Sequence, residues 1–143
     1  MIIMRKQNGF SMLEALVTLL IVSLGLLGIA GIIANSLKVN QGAQIRSQAS
    51  WLANDIIDRM RANRTTAEGG AYVLGDCADA PAADGVVAND DLSQWCAAVA
   101  EALPTGTGAV ALAANKVTVT VQWDDTRAAG GDADQQFVVE TRL

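Results

Sequence analysis

One uninterrupted apolar segment constrains this chain more than any other feature. It runs for twenty residues, from Ala15 to Ala34, and contains no charged residue. A helix of this length is roughly 30 Å long, which matches the hydrocarbon core of a bilayer. The segment can therefore span a membrane, and a 143-residue chain leaves room for one modest domain beyond it.

The residues before this segment predict its orientation. Arg5 and Lys6 lie near the N-terminus, and basic flanks stay in the cytoplasm, so everything after Ala34 is expected on the far side of the membrane. The small residues of the range 30–34 could also form the cleavage site of a secretory signal. The apolar run is longer than a typical signal core, which favours the anchor.

The overall composition excludes several functions. The net charge is -5 and the basic residues are scattered among acidic ones, whereas nucleic-acid binding needs clustered Lys and Arg. The chain has no His, which removes the commonest general base and metal ligand. It also has no phosphate-binding glycine loop, no nucleophile elbow and no CxxC motif. We therefore expect no catalytic residue, cofactor or metal, and no activity as an enzyme.

An acidic hairpin loop near the C-terminus raises the possibility of calcium. It contains Asp124, Asp125, Asp132 and Asp134, and calcium takes oxygen ligands. The spacing fits no EF-hand, and Asp and Gly are also the ordinary residues of turns. Turn formation is the favoured interpretation.

Glu14 is an unusual residue at the head of the apolar segment. A charge at the centre of a bilayer costs on the order of 3 kcal/mol on insertion scales and less near an end. One interpretation is that Glu14 lies at the interface, where it interacts favourably with the helix N-terminus. The other is that it has a partner outside its own helix, because intramembrane carboxylates usually do.

The sequence around Glu14 resembles a processing signal. Residues 5–14 read RKQNGFSMLE, and together with the apolar run they resemble the class III signal of type IV prepilins and pseudopilins. In that family a prepilin peptidase cuts after the glycine and methylates the new N-terminal phenylalanine. The resemblance implies cleavage between Gly9 and Phe10, N-methylation of Phe10, and subunit docking through Glu14. Met12 departs from the commoner leucine by an apolar exchange.

The helix is predicted to continue beyond the membrane. No proline occurs before Pro81, and apolar residues recur every three or four positions, as on one face of a helix. These residues are Ile45, Ala49, Leu52, Ile56 and Met60. We therefore expect one helix from Phe10 to about Asn63, roughly 80 Å long.

A second, shorter helix is predicted after a long loop. Residues 64–89 are rich in Gly, Ala, Asp and Thr, with a short strand expected at residues 71–74. Asn89 or Asp90 then caps a helix that ends before Pro104. One face of this helix carries Leu92, Cys96, Val99 and Leu103.

In the last third of the chain the apolar residues recur at every second position, which predicts strands. Residues 116–123 alternate without a break, and shorter apolar runs at 109–112 and 136–143 flank them. We expect a three-stranded antiparallel meander whose apolar face packs on the long helix, because strands alone are marginal. The residues on that face are Val117, Val119, Val121 and Trp123.

The redox state expected for the two cysteines, Cys77 and Cys96, depends on the orientation of the anchor. Outside the cytoplasm they can form a disulfide, which would attach the loop to the second helix; inside it they are expected to be reduced. The periplasmic orientation favours pairing, with two free thiols as the alternative.

These elements predict an α+β fold, a long N-terminal helix packed on a small antiparallel sheet, and the prepilin resemblance implies that this fold is pilin-like. The expected organisation is a leader at 1–9, a transmembrane and assembly half at 10–34, an amphipathic half at 35–63 and a small globular domain at 64–143. Residues 47–63, after the glycine-containing segment 24–31, look like minor pilins of the PilV type in particular.

The resemblance implies a structural function, as a minor pilin that supports initiation of type IV pilus assembly. Its implied partners are the prepilin peptidase, other minor pilins and the major pilin, the last two through the N-terminal helix. The implied location is the inner membrane, with the N-terminus cytoplasmic and the domain periplasmic, and later the pilus. The alternatives are a type II secretion pseudopilin and, with less support, a periplasmic enzyme or binding module on an uncleaved anchor.

Overall fold

A computed structural model describes residues 9–114 and 116–143. The basic leader, with Arg5 and Lys6, lies outside the described residues. The chain divides into two compact units, of which the first ends at Leu37 and the second comprises Lys38–Leu143. The fold is α+β, with a long N-terminal helix and a small antiparallel sheet, as predicted.

The long helix α1 extends over Met12–Ala62 and contains 51 residues. It begins two residues later than predicted, because Gly9, Phe10 and Ser11 lie outside regular structure. The part of α1 that belongs to the first unit, up to Leu37, is exposed at every residue. The long uninterrupted helix predicted from the periodicity is confirmed.

In the second unit, residues 38–62 of α1 supply one wall of the core. Ala49, Ile56 and Met60 of the predicted stripe are buried, and Ile45 and Leu52 are partly buried against the same cluster. The buried band is wider than predicted, since Ala53 and Ile57 are also buried. A helix that forms one wall of a domain core buries a broad apolar face rather than a narrow seam.

The sheet has three antiparallel strands in the order β1-β2-β3, as predicted. Strand β1 extends over Thr107–Ala113, β2 over Lys116–Trp123 and β3 over Gln135–Arg142. In the centre, Val119 pairs with Val110 on one side and with Val139 on the other. The predicted inward face of β2 is buried at every position, namely Val117, Val119, Val121 and Trp123.

The second long helix, α3, extends over Val87–Ala102. Its predicted inward face is confirmed: Leu92, Cys96, Val99 and Leu103 are all buried. The predicted N-cap is wrong, because the capping position is Val86 and has no side-chain cap. The Asp90 carboxylate instead accepts hydrogen bonds from the backbone amides of Asp84 and Gly85, at 3.0 and 3.1 Å, so it fixes the preceding loop from inside the helix.

The segment between α1 and α3 is more structured than predicted. It contains the short helix α2, Arg64–Glu68, and a 3₁₀ turn at Cys77–Asp79. The strand predicted at residues 71–74 is wrong, and only Leu74 forms an isolated bridge, with Val110. The Ala71 amide donates to the Thr66 carbonyl of α2, and the Val73 amide donates to the Gly70 carbonyl, so neither amide is available to a neighbouring strand.

Candidate processing and assembly site

The predicted cleavage site lies in a short non-helical segment. Gly9, Phe10 and Ser11 precede the first turn of α1, and all three are exposed. The Phe10 side chain is 77% exposed. A peptidase must bind its substrate backbone in an extended form, and a peptide bond inside a helix is withheld by its hydrogen bonds. The Gly9–Phe10 bond therefore lies outside the helix, whereas the bonds after Met12 lie within its hydrogen-bonded backbone.

Glu14 occupies the first turn of α1. A negative charge there interacts favourably with the unsatisfied amides at the helix N-terminus. Within the described part of the chain no side chain pairs with its carboxylate, which is exposed. Glu14 is thus placed for the helix-terminus role, and its carboxylate is accessible to a group from another chain.

The two hydroxyl residues of the apolar segment are satisfied within the helix. Thr18 Oγ1 donates to the Glu14 carbonyl at 2.6 Å, and Ser23 Oγ donates to the Leu19 carbonyl at 2.6 Å. Such bonds to the carbonyl four residues earlier remove the need for water. They lower the penalty for placing these side chains in hydrocarbon.

Among residues 9–37, the described part of the first unit, nothing covers the apolar side chains of α1. The most apolar 18-residue window of α1 has a mean hydropathy of 2.7, and none of it is buried. By length and composition this helix can cross a membrane. An apolar surface of this extent is stable only in lipid or against other apolar helices.

Small residues lie along the second half of the apolar segment. An added Cβ at Gly25, Gly28 or Gly31 would meet nothing within 4 Å. These glycines are therefore not required by contacts inside the described chain, although each lowers helix propensity by up to about 1 kcal/mol in water. Small residues allow helices to approach closely in membranes.

A comparison with known protein families finds a match in this N-terminal segment. Residues 4–30 match the family described as the prokaryotic N-terminal methylation motif. No curated protein and no solved structure matches the chain. The motif fits a type IV prepilin-like protein, either a pilin or a pseudopilin, and it fits processing by a prepilin peptidase and anchoring in a membrane.

In the second unit, Cys77 and Cys96 form a disulfide with a Cα–Cα distance of 5.4 Å. The bond joins the 3₁₀ turn to α3. Next to it, Asp76 Oδ1 accepts hydrogen bonds from the Ala78 amide at 2.7 Å and the Thr107 hydroxyl at 3.0 Å. The disulfide therefore belongs to a set of contacts that holds the loop against α3 and β1.

An open groove of about 640 Å³ adjoins the disulfide. Its walls are formed largely by small apolar residues, and Asp76 is the one ionisable group among the described lining residues. The Asp76 carboxylate is already engaged with the loop. The groove offers surface for contact and no arrangement of acid, base and nucleophile of the kind that catalysis requires.

A polar network joins α1 and α3, and only its part within α1 could be predicted from the sequence. Arg59 bonds to Asp55 at 3.0 Å and to Asp91 at 3.2 Å, and the Tyr72 hydroxyl donates to the other oxygen of Asp91 at 2.6 Å. Burial, followed by the hydrogen bond to Asp91, raises the pKa of the Tyr72 hydroxyl. The Asp55–Arg59 spacing was the available signal; Asp91 is brought in by tertiary structure.

The acidic loop is partly folded onto α1. Asp125 is 1% exposed, and its Oδ2 lies 3.5 Å from Arg46 Nη2. Gly42 permits this approach, because an added Cβ would lie 2.8 Å from the Ala128 Cβ. Asp134 instead accepts from the Gln122 amide at 3.0 Å. The carboxylates thus serve separate contacts, and the described residues contain no group of three metal-ligating side chains.

Proposed function

We propose that this protein is a minor pilin of the PilV type that is processed and incorporated into a type IV pilus. The observation that carries the proposal is the methylation motif at residues 4–30, whose cleavage bond lies in an exposed non-helical segment directly before an uncovered apolar helix. Cleavage before the helix, rather than after it, keeps the assembly segment on the mature protein.

Processing would create a positively charged N-terminus that can pair with the Glu14 carboxylate. Cutting after Gly9 leaves a methylated ammonium on Phe10, four residues from Glu14. In a low-dielectric environment an unpaired ammonium and an unpaired carboxylate are both unfavourable. Pairing of Glu14 with the terminal ammonium of an adjacent subunit satisfies both groups and favours one axial stagger between subunits.

The proposed partners follow from this mechanism. The prepilin peptidase acts on the cytoplasmic side, and the exposed apolar half of α1 then contacts other minor pilins and the major pilin. Before assembly the protein is held in the inner membrane with its domain in the periplasm, where the Cys77–Cys96 disulfide is stable. We infer that its role is structural, in initiating the fibre, and that it is not an enzyme.

Intact-mass analysis of the mature protein tests the processing step. We expect a chain that lacks residues 1–9 and carries one added methyl group on Phe10. The matched control is the same protein from a strain without prepilin peptidase, which should retain the leader. A mature chain that keeps residues 1–9, or that begins after residue 30, would overturn the proposal.

The motif supports a pseudopilin as well as a pilin. A deletion strain separates the two. Loss of surface fibres and of twitching motility, with normal secretion, supports the pilus assignment. Loss of exoprotein secretion with normal fibres assigns the chain to a type II secretion system.

A further inference from the structure

The two edges of the sheet differ in how they are covered. The outer edge of β1 is closed at its centre, where the backbone groups of Leu74 and Val110 exchange hydrogen bonds of 2.9 and 2.8 Å. The loop that supplies Leu74 is held three residues later by the disulfide at Cys77. This edge is therefore protected from pairing with another chain.

In the part of the chain that the structure describes, no backbone segment closes the outer edge of β3. Among the described residues, β3 makes backbone hydrogen bonds with β2 and with nothing else. In an antiparallel strand every second residue directs its N–H and C=O outward, so about four residues of this eight-residue strand present unpaired groups. The strand contains no proline, and its register with β2 runs without a bulge.

The hydrophobic core is also only partly covered at this edge. Phe137 and Val139 point inward and pack against the core, but both remain partly exposed. A further strand beside β3 would complete their burial. On the opposite face, Val138 is half exposed, a residue type that favours pairing in a sheet.

The charges on β3 indicate what such a strand carries. Glu140 pairs with Lys116 on β2 and is neutralised. Arg142 has no ion-pair partner in the described ranges. Asp134 precedes the other end of the strand. The edge is thus positive at its C-terminal end and negative at its start, which suits an antiparallel segment with the same order of charges.

We propose that the free edge of β3 is a docking site for an extended segment of a partner protein, which adds as a fourth, antiparallel strand. The segment carries apolar side chains opposite Phe137 and Val139 and a carboxylate opposite Arg142. Backbone hydrogen bonds supply most of the affinity, and the alternating side chains supply the specificity.

A second copy of this chain fits less well than a different partner. Two antiparallel β3 strands would be related by a twofold axis perpendicular to the sheet. That axis would reverse the direction of residues 38–62 of α1 in one copy relative to the other. The proposed function requires both α1 helices to enter the same membrane from the same side, which disfavours a second copy. The choice of a different partner over a second copy is the one step that depends on the proposed function.

The test uses the full-length protein in detergent and a synthetic peptide as the probe. The peptide has the sequence of residues 134–142, DQQFVVETR, with blocked ends. In the centred antiparallel register its first residue faces Arg142 and its last faces Asp134. At a peptide concentration about ten times its Kd, we expect hydrogen exchange of the outward-facing β3 amides to slow about tenfold.

Two modified peptides separate strand pairing from general apolar contact. Each is N-methylated at alternate residues, one at the odd and the other at the even positions. Strand addition uses the N–H groups of one set, so one modified peptide should lose all protection and the other should keep it. Equal protection by both, or no protection by the parent peptide, would overturn the proposal.

Charge variants of the protein test the predicted chemistry of the partner. Arg142→Glu should weaken binding of the peptide about fivefold, because it places like charges opposite each other. Arg127→Glu, at an exposed position in the loop before β3, is the matched control and should leave binding unchanged. An equal effect of both variants, or a dimer whose β3 amides are already protected without peptide, would contradict the proposal. None of these outcomes depends on cleavage after Gly9 or on incorporation into fibres, so the two proposals can fail separately.

Discussion

The Trp95 indole nitrogen donates a hydrogen bond to the Leu52 carbonyl oxygen at 2.9 Å. This contact joins α3 directly to the backbone of α1. Trp95 is fully buried, and the hydrogen bond satisfies its polar atom in the core. The Trp95 side chain therefore holds the two helices in one relative position, because it fills the space between them and donates a hydrogen bond from one to the other.

Replacement of this tryptophan should be among the most destabilising single changes. We expect Trp95→Ala to lower the free energy of unfolding by about 3–5 kcal/mol, because it removes a large buried side chain and leaves a cavity. The matched control is Trp51→Ala, since Trp51 is 85% exposed, and its effect should stay within about 0.5 kcal/mol. Urea denaturation of the full-length variants in detergent measures both. A similar loss for the two variants would contradict the packing described.

Gly108 should not tolerate a side chain. It lies in β1 beneath the Trp95 ring, and an added Cβ would approach the ring carbon Cη2 to 2.4 Å. Gly108→Ala should therefore cost about 1–3 kcal/mol of stability through overpacking. Gly75→Ala is the control, because nothing lies within 4 Å of its added Cβ. Thermal unfolding followed by circular dichroism distinguishes them, and equal melting temperatures would refute the close approach.

The disulfide should stabilise the second unit. Cys77 and Cys96 are 19 residues apart, and closing a loop of this length contributes about 3 kcal/mol in the chain-entropy model. The double variant Cys77→Ala/Cys96→Ala should lose this amount in chemical denaturation. Reduction of the wild type should reproduce the loss, and reductant should have no further effect on the variant. A wild type insensitive to complete reduction would contradict the prediction.

The stability of the protein should fall in alkaline solution through Tyr72, the one tyrosine of the chain. Burial and the hydrogen bond to Asp91 raise the pKa of its hydroxyl in the folded state. The folded state therefore holds this proton more tightly than the unfolded state, whose pKa is about 10. The stabilisation is complete below that value and is lost as the pH rises toward the folded-state pKa.

Tyr72→Phe tests this pH dependence. The variant should show a smaller loss of stability than the wild type between about pH 9 and 11. Unfolding by urea at several pH values measures the difference, and the tyrosinate absorbance of the folded wild type should appear above pH 10. Ordinary titration of the hydroxyl, or parallel pH curves for the two proteins, would show that Tyr72 is not held as described.

Glu14 should matter for assembly and not for cleavage. We expect Glu14→Ala to reduce the amount of the protein in sheared fibres while leaving the proposed removal of residues 1–9 intact, because in the proposed function the carboxylate pairs with an ammonium of another subunit. Glu101→Ala removes an exposed carboxylate from α3 and is the control. Quantitative immunoblotting of fibre and membrane fractions measures both. Equal incorporation of wild type and Glu14→Ala would refute the docking role.

Local patterns in the sequence were sufficient for much of the fold. The apolar residues of α1 recur with the helical period, and β2 alternates without a break, so each element shows its type and its buried face within a few neighbouring residues. The motif at residues 4–30 is likewise contiguous. The errors arose where local signals compete, as at Asp90, whose carboxylate serves the preceding loop instead of capping the helix.

Tertiary structure alone decided the contacts between distant segments. No local pattern places Asp91 beside Arg59 and Tyr72, or Asp125 beside Arg46 and Gly42, because side chains far apart in sequence meet only after the elements pack. The same holds for the sheet edges: that β1 is closed by Leu74 while β3 is open follows from the path of the chain between them. Sequence by itself determined the long apolar helix, the methylation motif and the types of the main elements, since these depend on neighbouring residues. Packing determined which surfaces remained available to partners, because exposure is a property of the whole fold.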